Sequence, residues 1–177
     1  MGMLMYRFKS SKFNVITCLA LTALCFGLTA SALADVINFK KLEPFVDVQI
    51  PGWTMSGKPG GTTVKQGAMS VSQAEAKFKA GDKTLKISVI DLAGQHFPLQ
   101  MGQFMEMETD EQVVRTLDVQ GFKAMEHYNK VDKEGDLIIS VVKRFLVKIE
   151  GQKIDNLKVL QDAAQKLDLK KLATLAK

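Results

Sequence analysis

Over residues 84–92 and again from 112 to 150 the apolar residues fall largely on alternate positions, in short runs broken by turn chemistry, and this pattern limits what the chain can fold into more than any other. Successive side chains of a strand point to opposite faces, so Leu85, Ile87 and Val89 define one buried face and leave the other to solvent. Strand-like runs occur at 69–79 and 84–92, which flank Ala80-Gly81-Asp82-Lys83 as the arms of a long hairpin. Four more follow near 112–119, 122–131, 136–142 and 145–150, separated by Gly121, by Asp132-Lys133-Glu134-Gly135 and by Lys143-Arg144. The run Leu137 to Val142 is apolar on both faces, as expected of a central strand. In the first hairpin arm, Ser72 with Glu75 also fits a capping box, which leaves a short helix as an alternative there.

Upstream, Val46, Val48 and Ile50 alternate with polar residues and predict a first strand over 45–50, stopped by Pro51-Gly52. Gly57-Lys58-Pro59-Gly60-Gly61 is the strongest turn cluster and reads as an exposed loop. From Phe97 the period changes. Phe97, Met101, Phe104 and Met105 recur at helical spacing behind Pro98 and predict a helix over 97–108, weakened by Gly102. Near the end, Asn156 caps a helix whose stripe is Leu157, Leu160, Ala164 and Leu167, and Asp168 caps a final turn. The expected fold class is therefore α+β: an antiparallel sheet of about six or seven strands, one inserted helix and a C-terminal helix packed on it.

The first 34 residues read as something other than fold. Arg7, Lys9 and Lys12 precede an apolar stretch from Phe13 to Leu28, no acid occurs before Asp35, and Ala32-Leu33-Ala34 is an A-x-A site. These are the parts of a secretory signal peptide cleaved between Ala34 and Asp35, leaving 35–177 as a single domain in the periplasm or outside the cell. The apolar run is short for a membrane span, and no stable insertion is expected after cleavage. Removing Arg7, Lys9 and Lys12 takes the 24 Lys plus Arg to 21, against 19 Asp plus Glu, so the net charge drops from +5 to +2. Only Arg115 and Arg144 are then arginines, and nucleic acid is not an expected partner. Both cysteines, Cys18 and Cys25, leave with the signal, and with them disulfides, thiol nucleophiles and cysteine-ligated metal. Neither follows the small residue of a lipoprotein signal, so no acyl anchor is expected.

Catalytic chemistry finds little to stand on. Gly52 to Lys58 has the spacing of a phosphate-binding loop, but Pro59 stands where a magnesium-binding hydroxyl is required. His96 and His127 are the only histidines, and there is no Gly-x-Ser-x-Gly elbow or His-Glu-x-x-His pair. Asp132 to Asp136 has its glycine too early for a calcium loop and reads as a hairpin turn. The expectation is a non-enzyme with no cofactor. Six methionines remain after cleavage: Met55, Met69, Met101, Met105, Met107 and Met125. With His96, Met101 and Met105 are the candidate soft ligands for copper. On a helix Met107 would point well away from both, which favours core methionines over a metal site.

The order of elements, with Ile50-Pro51-Gly52-Trp53 after the first strand and Arg144-Phe145-Leu146-Val147 through Gly151 before the terminal helix, resembles the small exported PsbP- and DcrB-like α+β domains over roughly 45–170. That resemblance implies a sandwich of antiparallel sheet and helices in an accessory envelope protein, and it carries over no site residue. The leading functional expectation is a non-enzymatic binding or accessory module that touches a periplasmic or envelope protein through one sheet face or the 51–62 loop. Trp53 and Met55 are its candidate partner-binding residues, with Trp53 as a lid on the core the favoured alternative. The competing expectation is a carrier, either for a soft metal or for an apolar or lipid molecule held by the sheet.

Overall fold

A computed structural model describes residues 35–66, 69–93 and 106–176. They form one antiparallel sheet of nine strands: β1 (Thr54–Met55), β2 (Gly60–Gln66), β3 (Met69–Ala80), β4 (Lys83–Asp91), β5 (Met107–Glu108), β6 (Gln112–Val119), β7 (Phe122–Asn129), β8 (Glu134–Val141) and β9 (Phe145–Gln152). Across the sheet they run β1-β3-β4-β9-β8-β7-β6-β5, and β2 pairs with β3 on the side that β1 also uses. Two short helices follow, α1 (Lys158–Ala164) and α2 (Leu169–Thr174).

The fold is thus dominated by antiparallel sheet, and the expected α+β domain with six or seven strands is corrected in four places. The expected first strand over 45–50 has no ladder partner. Residues Glu43–Phe45 make a 3-10 turn, and the chain then crosses the core edge with Val46 and Ile50 buried. Its alternation recorded burial, and burial alone does not make a strand. Gly60 and Gly61, read as loop, open the edge strand β2, whose side chains are mostly exposed and so give no apolar signal. The predicted helix over 97–108 lies outside the described residues up to 105, and its last two positions, Met107–Glu108, are strand β5. The predicted helix from Asn156 ends at Ala164, short of Leu167, whereas Asp168 caps the final turn as expected, accepting a hydrogen bond from the Lys171 amide at the start of a second helix.

The hairpin arms obey their alternation. Ala74, Ala76 and Phe78 of β3, Leu85, Ile87 and Val89 of β4, Phe145, Val147 and Ile149 of β9, and Leu137, Ile139 and Val141 of β8 all point to one buried face. The N-terminal segment (Leu42, Phe45, Val46, Ile50) and the helices (Leu160, Ala163, Ala164, Leu169, Leu172) complete that core. α1 sits over β8 and β9, where two glycines, Gly135 and Gly151, face each other across the strand pair. A Cβ on Gly151 would come within 2.9 Å of Ile154 Cδ1 and 3.0 Å of Leu160 Cδ2. The glycines let the helix approach the sheet closely.

Polar side chains on the core face act as ties. Asp91 is fully buried and accepts hydrogen bonds from the Ile37 and Ala93 amides and from Arg144 Nε and Nη2, while Arg144 Nη2 also donates to the Asp35 carbonyl. This clamp fastens residues 35–37 to the ends of β4 and β9. Glu126, also buried, is held by Arg115 and by Gln161 of α1. The Tyr128 hydroxyl donates to the Ile154 carbonyl at 2.8 Å, and burial pushes its ionisation upward.

Candidate functional site

The opposite face of the sheet carries the even residues of β4, β8 and β9 and the odd residues of β3 and β7. Hairpin register sets its chemistry. The two-residue turn Gly81-Asp82 places Lys77 opposite Lys86 and Lys79 opposite Thr84. Next in the ladder, Lys86 faces Glu150, Glu150 faces Asp136, and Asp136 faces His127. One row therefore runs from cationic on β3 and β4 to anionic on β9 and β8. It exists only because four ladders, three of them hairpins and the fourth the β4–β9 pairing, hold this register.

At the cationic end the edge of the sheet is interrupted. β1 pairs with β3 at Lys79 and Phe78, β2 pairs with it from Glu75 onward, and residues 56–59 bulge past the gap between them. The Ser56 amide bonds the Lys77 carbonyl at 2.7 Å and fixes the start of that bulge. Beside it lie two contiguous cavities that share Ser56 and Lys77. One, of about 300 Å³, is lined by Lys77, Lys79, Thr84, Lys86, Glu150 and Gln152. The other, of about 540 Å³, is lined by Lys58, the Gly60-Gly61-Thr62 start of β2, Gln73 and Glu75. Together they form a groove along β3.

Charge in the groove is unevenly compensated. Lys86 and Lys148 both reach Glu150, at 2.5 and 2.7 Å. Burial favours the neutral form of Glu150, but hydrogen bonds from Lys148 and Lys86 outweigh it and hold this carboxyl below the ordinary glutamate range. Lys77 lies 3.9 Å from Glu75, a marginal pair. Lys58 and Lys79 have no ion-pair partner among the described residues. The arrangement offers two uncommitted ammonium groups, a third weakly held, and the hydroxyl of Ser56, whereas the Thr84 hydroxyl donates to Gln152 Oε1 at 3.2 Å. This is donor chemistry suited to carboxylates or other anions.

Sequence reasoning singled out other positions. Trp53 and Met55 come together in a shallow cleft of about 730 Å³ with Ile50, Phe78 and Lys166, on the core side of β1, and both are half-buried against the core. His96, Met101 and Met105 lie outside the described residues. Met125 and Met107 occupy β7 and β5 with β6 between them, and Met55 belongs to the opposite edge. Among the described residues no group of three or more histidine, aspartate or glutamate side chains is placed to hold a metal ion. His127 sits in β7 with Nδ1 3.4 Å from Asp136 Oδ1. Lys58, flagged within a phosphate-loop spacing, is followed by strand β2 and not by a helix. The lysines of the hairpin were missed, although parity about Gly81-Asp82 would have put Lys77, Lys79 and Lys86 on one face.

No family model, curated protein or solved structure matches the chain. No helix among the described residues is long and apolar enough to cross a membrane.

Proposed function

We propose that this chain is a non-enzymatic binding module of the cell envelope, exported by its leader, which holds an acidic segment of a partner protein in the groove along β3. The observation that carries the reading is the groove itself: two adjoining cavities bordered by Lys58, Lys77, Lys79 and Lys86, two of them without an ion-pair partner among the described residues. It lies where a sheet face meets the 51–62 connection, the two surfaces from which a binding role was expected. The resemblance to PsbP- and DcrB-like exported domains supports an accessory role of this kind. Exposed lysines on a rigid sheet suit an anionic partner because they are already positioned, so little ordering is needed on binding. Affinity should be modest and salt-sensitive, since the contacts are largely solvated.

The test is titration of the protein with a deca-glutamate peptide at low salt, with deca-serine as the neutral control. Binding should weaken at least ~10-fold in the Lys77→Glu/Lys79→Glu variant and stay within about 2-fold in Lys170→Glu/Lys171→Glu, on the helix side. Equal losses in both variants, or no binding of deca-glutamate at all, would defeat the proposal.

A further inference from the structure

The edge strand β2, whose first residues line the groove, carries a second feature in its outward-facing backbone. The Lys77 carbonyl accepts from Ser56, so the odd residues of β3 direct their backbone groups toward β1 and β2. Their partners in the ladder are Gly60, Thr62, Val64 and Gln66. Backbone direction alternates along a strand, so the N–H and C=O groups of Gly61, Thr63 and Lys65 point away from the sheet. Gly61 and Lys65 are exposed, and Val64 is 51% exposed beside them. Natural edges are commonly blunted by proline, bulges or inward charges. Within β2 the only charge is Lys65, and Asp35 neutralises it at 2.7 Å.

We propose that β2 pairs antiparallel with β2 of a second copy of this chain, around a twofold axis through Thr63. In that register Gly61 faces the other copy's Lys65, Thr63 faces Thr63, and Lys65 faces Gly61. Every outward-directed residue then meets another, and each pair exchanges both of its hydrogen bonds. On the open face Thr62 of each copy sits opposite Val64 of the other, a β-branched pairing that covers the exposed Val64. No like charges stand opposite: each Lys65 meets a glycine and keeps its own Asp35. The other edge does not offer this symmetry: Glu108 is paired with Lys130 and Asp118 with Lys123, but Glu106, Asp110 and Glu111 gather around β5 and the turn into β6 and would repel a copy of themselves. A twofold axis normal to the sheet puts both lysine grooves on the same side of the dimer, so the pair would engage an acidic partner at two places.

The experiment is sedimentation equilibrium on the purified protein from about 5 to about 500 µM, the range that a small interface requires, joined to amide hydrogen exchange at both ends of that range. The mass should rise from one protomer to two. Exchange at Gly61, Thr63 and Lys65 should slow by ~10-fold or more at high concentration, while the amides of Val114 and Thr116 near the other edge do not change. Lys65→Pro removes an amide that bonds nothing in the β2–β3 ladder, so the variant should fold and stay monomeric. Lys65→Ala keeps the amide and should still dimerise. A protein that remains monomeric throughout, or a dimer that leaves the three amides unprotected, overturns the proposal, and Lys65→Pro need not fold for either reading.

Discussion

The buried carboxylate of Asp91 shows how much one side chain organises. A charge at zero exposure is tolerated only when its lone pairs are filled, and here two amides and two guanidinium donors fill them. Arg144 gives the fork geometry and reaches on to the Asp35 carbonyl. Removing it leaves the carboxylate buried with half its donors, and breaking a buried pair from one side typically costs about 3–5 kcal/mol. Arg144→Ala should therefore lose stability on that scale in urea unfolding. Arg144→Lys, which restores charge but not the fork, should fall between it and the parent. A loss in Arg144→Ala below about 1 kcal/mol would mean that the clamp is hydrated and of little weight. The pair was not legible in the sequence, because Asp91 ends one alternating run and Arg144 sits in a turn. Only the β4–β9 register brings them together.

At the scale of elements, what could be read depended on whether a strand has one wet and one dry face. β4, β6, β7 and β9 do, while β8 was read as a run apolar on both faces and has its even residues no more than half-buried; all five positions were legible to within a few residues. β2 is an edge strand with two wet faces, so Gly60-Gly61-Thr62-Thr63 carried only a turn signal, and its membership in the sheet depends on hydrogen bonds to β3 that composition does not encode. The same reasoning explains the false strand over 45–50, which has alternating burial and no ladder. The groove was half legible: Lys58 stood out in a loop, while the convergence of Lys77, Lys79 and Lys86 needed the hairpin register. Elements also dock through gaps that a sequence lists only as glycine. Gly151 has an ordinary negative φ, so its role is space for Leu160 and Ile154. Gly151→Ala should lower stability by about 1–3 kcal/mol, the usual penalty for overpacking. A second change, Leu160→Ala, should recover part of that loss when combined with it, giving a non-additive cycle in thermal unfolding. Strictly additive effects would place the strain elsewhere.

For the whole molecule, surface pairs join distant stretches of chain, and their ionisation sets the pH range of stability. Lys65 bonds Asp35, Lys83 bonds Asp155, and Lys86 and Lys148 bond Glu150. The bond from Lys65 lowers Asp35, and the bond from Lys83 lowers Asp155. Glu150 is lowered by its two lysines against the opposing effect of burial. A carboxyl whose folded value lies below its unfolded one stabilises the fold above the unfolded value, and that contribution disappears as pH falls through the folded value. The unfolded values are 3.8 for aspartate and 4.5 for glutamate. Melting temperature should therefore hold steady from neutral pH down to about 5 and then fall on further acidification. On the alkaline side, Asp155 raises Lys83 above 10.5, so its contribution is complete below that value and is lost as pH rises through the higher folded one. The pairs are largely exposed, so 1 M salt should shrink the acid-side drop. Glu150→Gln separates stability from binding at this point: it removes one acid-sensitive carboxylate and frees Lys86, which lines the groove, from its counter-charge. Such a variant should bind deca-glutamate several-fold more tightly than the parent at neutral pH and show a shallower acid transition. Weaker binding by Glu150→Gln would mean that Glu150 is needed to hold the lysines in position, and that the groove recognises its partner with Lys86 fixed on that carboxylate.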